Sequence, residues 1–152
     1  FATTKETIEN GYIGDCDDFA IALTTMVIAI GGKARVVLMD GPRGGHAYAE
    51  ACVEGEPTKV ATALFKHYKN RFKRYLTAGT PQVISYRSSE ECPIWLNLDW
   101  NSAVPGGPYE PERWATAVYE GGRVEQLAPA NPVIDEPQAD AVPANTATPT
   151  KR

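Results

Sequence analysis

The chain has 152 residues, 43% of them hydrophobic, enough to bury the core of one domain and too few for two. Its formal net charge is −4 and unevenly placed: residues 57–78 hold six of the 15 Lys/Arg and no acid, leaving nine basic residues against all 19 acidic ones elsewhere. That balance argues against a protein that coats nucleic acid as a whole, and the lack of any run approaching ~18 apolar residues argues against a membrane span. Three cysteines without C-x-x-C spacing signal neither a dense disulfide framework nor a zinc ribbon.

In chain order, residues 1–13 read as irregular, with Gly11 and Gly14 allowing a tight approach to the next segment. A helix is predicted there, with Asp15 suited to the N-cap and Asp18 at the acid position of a capping box. Phe19, Ala20, Leu23, Met26, Val27 and Ile30 recur at helical spacing, while Ile21, Ala22, Ile28 and Ala29 fill the other side. A helix apolar nearly all round belongs in the middle of its domain, and Gly31-Gly32 ends it. Lys33 to Met39 is β-branched and apolar, hence a strand, and 40–45 is a loop rich in turn residues. From His46 to Val53 the residues alternate: His46, Tyr48, Glu50 and Cys52 on one face, Ala47, Ala49, Ala51 and Val53 on the other. Small alanines suit close packing against the Cys16 helix, although alternation alone leaves open which face meets it.

A second helical pattern runs over 58–76, with Val60, Ala61, Leu64, Phe65, Tyr68, Phe72, Tyr75 and Leu76 on one stripe and most of the lysines off it. Strands are predicted at 82–87 and 94–100; in the second, Trp95, Asn97 and Asp99 share one face, and Leu96, Leu98 and Trp100 the other. Residues 115–119 and 123–127, joined by Glu120-Gly121-Gly122, read as a closing hairpin. From Pro129 onward, 24 residues contain five prolines and no aromatic residue, the composition of a disordered tail. The expected organisation is one domain over 1–128, with a basic amphipathic insertion at 57–80, and a tail over 129–152.

The chemistry centres on Gly14-Asp15-Cys16-Asp17. A thiol in the first turn of a helix meets partial positive charge from unsatisfied N–H groups, which favours thiolate. Asp15, Asp17 and Asp18 oppose this by like-charge repulsion, so a neighbouring imidazolium is needed. Of the two histidines, His46 lies between a glycine-rich loop and a strand, whereas His67 sits among lysines on the polar side of a helix. A histidine base needs a carboxylate or amide to fix its tautomer. Asp99 fits best, because a carboxylate flanked by Trp95 and Trp100 requires a partner; the competing reading makes it a strand-end turn residue bonding Asn101 or Ser102. Glu50 is the rival, but four residues along the same strand, about 13 Å, it cannot reach the ring.

Tyr48, Trp95 and Trp100 are candidate walls of a substrate groove. Cys52 and Cys92 read as packing residues, with a disulfide between them left open for an oxidising compartment. The Asp15, Asp17, Asp18 cluster reads as helix capping, since no EF-hand pattern surrounds it, and neither metal nor cofactor is expected. The basic helix at 59–74 reads as a solvated face, with contact to an acidic partner as the minority reading.

The order Gly14-Asp15-Cys16-Asp17-Asp18-Phe19-Ala20, then Ala34-Arg35-Val36-Val37, then Gly45-His46-Ala47-Tyr48-Ala49-Glu50, then Trp95-Leu96-Asn97-Leu98-Asp99 resembles the transglutaminase-like superfamily, over roughly residues 8 to 100. The resemblance implies a papain-like cysteine-peptidase fold of α+β class, in which a central Cys-bearing helix packs on an antiparallel sheet. It implies a Cys16, His46, Asp99 triad and acyl transfer at amides, as in proteases, cross-linking transferases and amidases. Two departures stand out: Tyr48 occupies a position that is commonly Trp, and only fifteen residues precede Cys16 where the family usually has further helical structure. The expected function is a protease or amidase acting on a peptide or protein, with the Cys16 N–H as one oxyanion donor. The alternative is a catalytically inactive module that binds a peptide or protein. Compartment and oligomeric state stay open.

Overall fold

Thr3 and Glu6 start the first helix, where sequence reading placed irregular chain. In a computed structural model, which describes residues 2–72, 83–102, 104–128, 130 and 133–135, helix α1 spans Thr4–Glu9. The Thr3 hydroxyl accepts from the Glu6 N–H at 3.3 Å and the Glu6 carboxylate from the Thr3 N–H at 2.7 Å, a capping box visible in the Thr-x-x-Glu spacing. Six residues are too few for an apolar period to show, so the element escaped notice. Helix α2 runs over Cys16–Ala29. Asp18 caps it as expected, accepting from the Asp15 N–H at 3.3 Å, and also ties down the chain start by accepting from the Ala2 N–H at 2.6 Å.

All strand pairings are antiparallel, so with the helices the architecture is α+β. The strands are β1 (Ala34–Gly41), β2 (Gly44–Val53), β3 (Val83–Arg87), β4 (Ile94–Asn97), β5 (Trp114–Tyr119), β6 (Val124–Gln126) and β7 (Val133–Asp135), ordered β6-β5-β1-β2-β4-β3-β7. Three boundaries differ from expectation. The 40–45 loop is a tight hairpin in which Gly41 pairs with Gly44, which takes a φ of +106°, and only Pro42 and Arg43 turn. The expected tail begins with a strand, since Val133–Asp135 pairs with β3; residues 136–152 lie outside the described ones. The 94–100 strand stops at Asn97, and Trp100–Ser102 form a 3-10 turn. Helix α3 (Pro57–His67) is capped by Glu56, passes into a π-helical turn at Tyr68–Phe72, and its predicted continuation to 76 lies outside the described residues. Among the described residues no helix is long and apolar enough to cross a membrane.

Register assigns the two sheet faces. Ala51 pairs with Leu96 and Leu96 with Tyr86, so the alanine face of β2 continues into residues that pack on Ala61 and Phe65 of α3. Helix α2 packs against β2 and β1, and its Phe19 meets Trp100, which places it on the same alanine face. With only the methyl groups of Ala47, Ala49 and Ala51 on the inner part of β2, the helix can approach that strand closely. The opposite face is polar at its centre. Arg35 pairs across the ladder with Glu50, which pairs with Asn97, and all three are fully buried.

Glu50 holds this interior together. Its Oε2 accepts from Arg35 Nε at 2.7 Å and lies 2.6 Å from Arg35 Nη2, its Oε1 accepts from the Tyr109 hydroxyl at 2.7 Å, and Arg87 Nε lies 3.2 Å from Oε1. Burial pushes the Glu50 carboxyl up, while Arg35 and Arg87 pull it back down. Arg87 is shared with Glu112 at 2.7 Å and the Tyr48 hydroxyl at 2.9 Å, and the guanidinium of Arg35 lies over the Trp95 ring at 4.2 Å. Glu50→Ala would leave the buried Arg35 guanidinium without a carboxylate, while Arg87 keeps Glu112, and we expect a loss of about 3–5 kcal/mol in urea-induced unfolding; a change under ~1 kcal/mol would contradict that role.

Cys52 and Cys92, expected to serve as packing residues with a bridge left open, form a disulfide with Cα atoms 5.9 Å apart. It joins β2 to the turn before β4 and leaves Cys16 as the free thiol. The Cys52 N–H bonds the Lys33 carbonyl, just past the C-terminal end of α2, whereas Cys16 is the first residue of that helix. The native protein should therefore titrate one thiol with a disulfide reagent, and three after reduction and denaturation. Closing a 40-residue separation, the bridge should add about 2–4 kcal/mol, read as a lower unfolding midpoint in reductant.

Candidate functional site

His46 enters the site from the start of β2, where it pairs across the ladder with the buried Met39. Its Nε2 lies 2.9 Å from Asp99 Oδ2, and both side chains are largely buried, 11% and 3% exposed. An ionised carboxylate can only accept, so Nε2 carries the proton in this contact and Nδ1 remains for a second partner. Behind the imidazole stands Tyr48, ring centroids 6.0 Å apart, and behind Tyr48 stands Tyr109 at 5.7 Å. Burial first, and then the Glu50 charge, push the Tyr48 phenol upward, so it stays neutral and serves as a wall.

Asp99 lies just beyond β4, where it makes both a contact with His46 and the strand-end turn bonds. Oδ2 meets His46 while Oδ1 accepts from the Asn101 N–H at 2.9 Å, and the Asp99 carbonyl accepts from Ser102 N at 3.0 Å and its hydroxyl at 2.6 Å. The turn is the means by which the carboxylate is aimed. Rejection of Glu50 as the orienting acid holds as well, since its oxygens belong to Arg35, Arg87 and Tyr109.

Cys16 is the first residue of α2, half-buried, at the position where backbone N–H groups lack intrahelical acceptors. Phe19, one turn on and on the same side of the helix, lies 5.6 Å from the ring of Trp100, the neighbour of Asp99. That contact sets the Cys16 turn beside the segment that aims at His46. Asp15 and Asp17 share a hydrogen bond that lowers the Asp15 carboxyl and raises that of Asp17. Asp18 is taken up by capping.

Two of the three expected groove walls are interior residues. Tyr48 and Trp95 are 3% and 1% exposed, interior residues held by Arg87 and by the Ser89 hydroxyl, so neither presents a face to a substrate at His46. Trp95 does border a cavity of about 310 Å³ with Ile28, Gly32, Tyr119 and Arg123, but that space lies at the C-terminal end of α2, away from Cys16. Trp100 is half-exposed and remains at the site. Sequence reading missed Asn97, whose side chain accepts from the Asp99 N–H at 2.8 Å; an amide two residues before a candidate acid was the available signal.

No family model matches the chain, and neither a curated protein nor a solved structure does so.

The geometry makes a definite spectroscopic statement. Neutral His46 should be the Nε2–H tautomer, seen in its imidazole 15N shifts, and Asp99→Ala should collapse that preference toward a mixture while His67 is unaffected. An unchanged pattern in Asp99→Ala would show that the pair does not form in solution.

Proposed function

We propose that the chain is a cysteine-dependent acyl-transfer enzyme of transglutaminase-like type, a protease or amidase in which Cys16, His46 and Asp99 form the triad. The observation that carries the reading is the buried His46–Asp99 contact, made through Nε2 so that Nδ1 is left for a thiol. Supporting it are the free, half-buried Cys16 at a helix start, its helix packed on the strand that bears His46, and the Phe19–Trp100 contact. A cysteine-bearing helix against an antiparallel sheet is also the arrangement a papain-like core requires.

In this mechanism His46 Nδ1 takes the Cys16 proton and the thiolate attacks the amide carbonyl carbon. The resulting oxyanion is met by the Cys16 N–H at the helix start. Collapse breaks the C–N bond, the amine leaves with the proton from His46, and an acyl thioester stays on Cys16. Water, deprotonated by His46, then attacks the thioester; the carboxylic acid departs and the thiol is restored. Asp99 supports the imidazolium formed in both halves. Trp100 offers an apolar wall beside the acyl group of a peptide or protein substrate. Hydrolysis is favoured over cross-linking because water is the default acceptor. The lysines of α3 are a solvated face to which an acidic partner could be added without touching this chemistry.

Iodoacetamide modification separates an enzyme from a binding module. Cys16 should alkylate near neutral pH faster than an ordinary thiol, and His46→Ala should remove the excess. Turnover of peptide amides should vanish in Cys16→Ala and fall about 10²- to 10⁴-fold in Asp99→Ala. Cys16 labelling that ignores His46→Ala would leave only the binding role.

A further inference from the structure

Asn97 is fully buried at the last position of β4, on the polar face and directly across the ladder from Glu50. Its amide is oriented without ambiguity, because one end faces an N–H and the other faces carbonyls. Oδ1 accepts from the Asp99 N–H at 2.8 Å, and Nδ2 donates to the carbonyls of Gly107 at 2.9 Å and Pro108 at 3.3 Å. Its backbone joins the same knot: the Asn97 carbonyl accepts from the Gly106 N–H at 2.6 Å, and the Gly106 carbonyl accepts from the Ser85 N–H at 2.7 Å. Gly106 thus fills the gap where β3 and β4 diverge.

The fit leaves no spare volume. Gly106 takes a φ of +78°, and a Cβ there would lie 2.9 Å from Ile84 and 3.0 Å from Leu96. A Cβ on Gly107 would lie 2.6 Å from the Ser102 carbonyl oxygen, on the backbone of the turn whose hydroxyl and N–H bond to Asp99. The backbone of Asp99 is accordingly held from both sides, by Asn97 at its N–H and by Ser102 at its carbonyl, while the Asn101 N–H meets its carboxylate.

From this we infer that Asn97 is the positioning residue for the triad carboxylate, with Gly106-Gly107 as its backing, and that it acts on the reaction through Asp99 and His46 without touching substrate. The inference rests on the proposed acyl-transfer function for its kinetic consequence, while its structural consequence can be read independently. Asn97→Ala frees the Asp99 N–H and lets the carboxylate swing away from Nε2. Asn97→Asp keeps the acceptor for that N–H but replaces the Nδ2 amino group and its two N–H donors with one carboxylate oxygen facing the carbonyls of Gly107 and Pro108, so it rescues only part of the effect.

The test compares wild type, Asn97→Ala, Asn97→Asp and Gly107→Ala, using imidazole 15N shifts of the two histidines and the pH–rate profile of Cys16 alkylation by iodoacetamide. Folding is checked by the native count of one free thiol and by an unchanged His67 signal. In folded Asn97→Ala, His46 should lose its Nε2–H preference and Cys16 alkylation should slow about 10- to 100-fold, with Asn97→Asp intermediate. A folded Asn97→Ala with the wild-type His46 signature and pH profile overturns the inference. If that variant does not fold, Gly107→Ala decides by the same two readouts. If wild-type Cys16 shows no His46-dependent rate excess, the enzyme reading fails while the His46 shifts still decide the role of Asn97.

Discussion

Glu50 sits at the centre of the sheet with no solvent exposure and is met from three directions: by hydrogen bonds from Arg35 of β1 and from Tyr109 of the segment leading back to β5, and by the charge of Arg87 of β3 at 3.2 Å. A carboxylate and two guanidiniums removed from water are each costly, and only their mutual contacts make the burial tolerable. The partners lie up to 59 residues from Glu50 along the chain, so the network forms only when four pieces of the fold have docked in one register. A one-residue slip of β2 would turn Glu50 into the alanine face beneath the helices and leave Arg35 without its carboxylate. The ion network thereby specifies the sheet's register as well as filling it.

The candidate site is built at the edge of that network. Tyr48, bonded by Arg87, forms the wall behind His46, and Asn97, ladder partner of Glu50, fixes the turn that aims Asp99. His46 and Asp99 therefore inherit their geometry from interior residues locked by packing and hydrogen bonds, the arrangement that precise acid–base chemistry requires. Cys16 belongs to a different scaffold, the first turn of α2, whose Phe19 packs on Trp100, the neighbour of Asp99. The free thiol and the disulfide are kept apart by the same helix: Cys16 is its first residue, and the strand carrying Cys52 is bonded just past its other end.

Much of the fold was legible because local chemistry announces it. The Asp15–Asp18 cap, the apolar helix closed by Gly31-Gly32, the alternation of His46 to Val53 and the 115–127 hairpin all depend on neighbours within a few residues. Of the candidate site, His46 and Asp99 were legible because each residue type has few stable uses in such surroundings. The roles of Tyr48 and Trp95 were not. An aromatic residue beside a proposed catalytic group reads as a groove wall until the guanidiniums of Arg87 and Arg35 are seen to claim it for the interior. Helix α1 and strand β7 were missed for a different reason: each is too short for periodicity, and β7 exists only through its pairing with β3.

By itself the sequence determined the class of residue that must be buried, the helix and strand periods, and the presence of a thiol, an imidazole and a carboxylate in segments built to present them. Tertiary structure alone decided that Nε2 of His46 is the nitrogen that meets Asp99, that Cys52 is bridged to Cys92, that Glu50 bonds two arginines and that Asn97 holds the acid in place. The physical reason is range: propensity, capping and turn chemistry act over a few bonds, whereas pairing of buried polar groups is set by distances between atoms that become neighbours only after the sheet has closed.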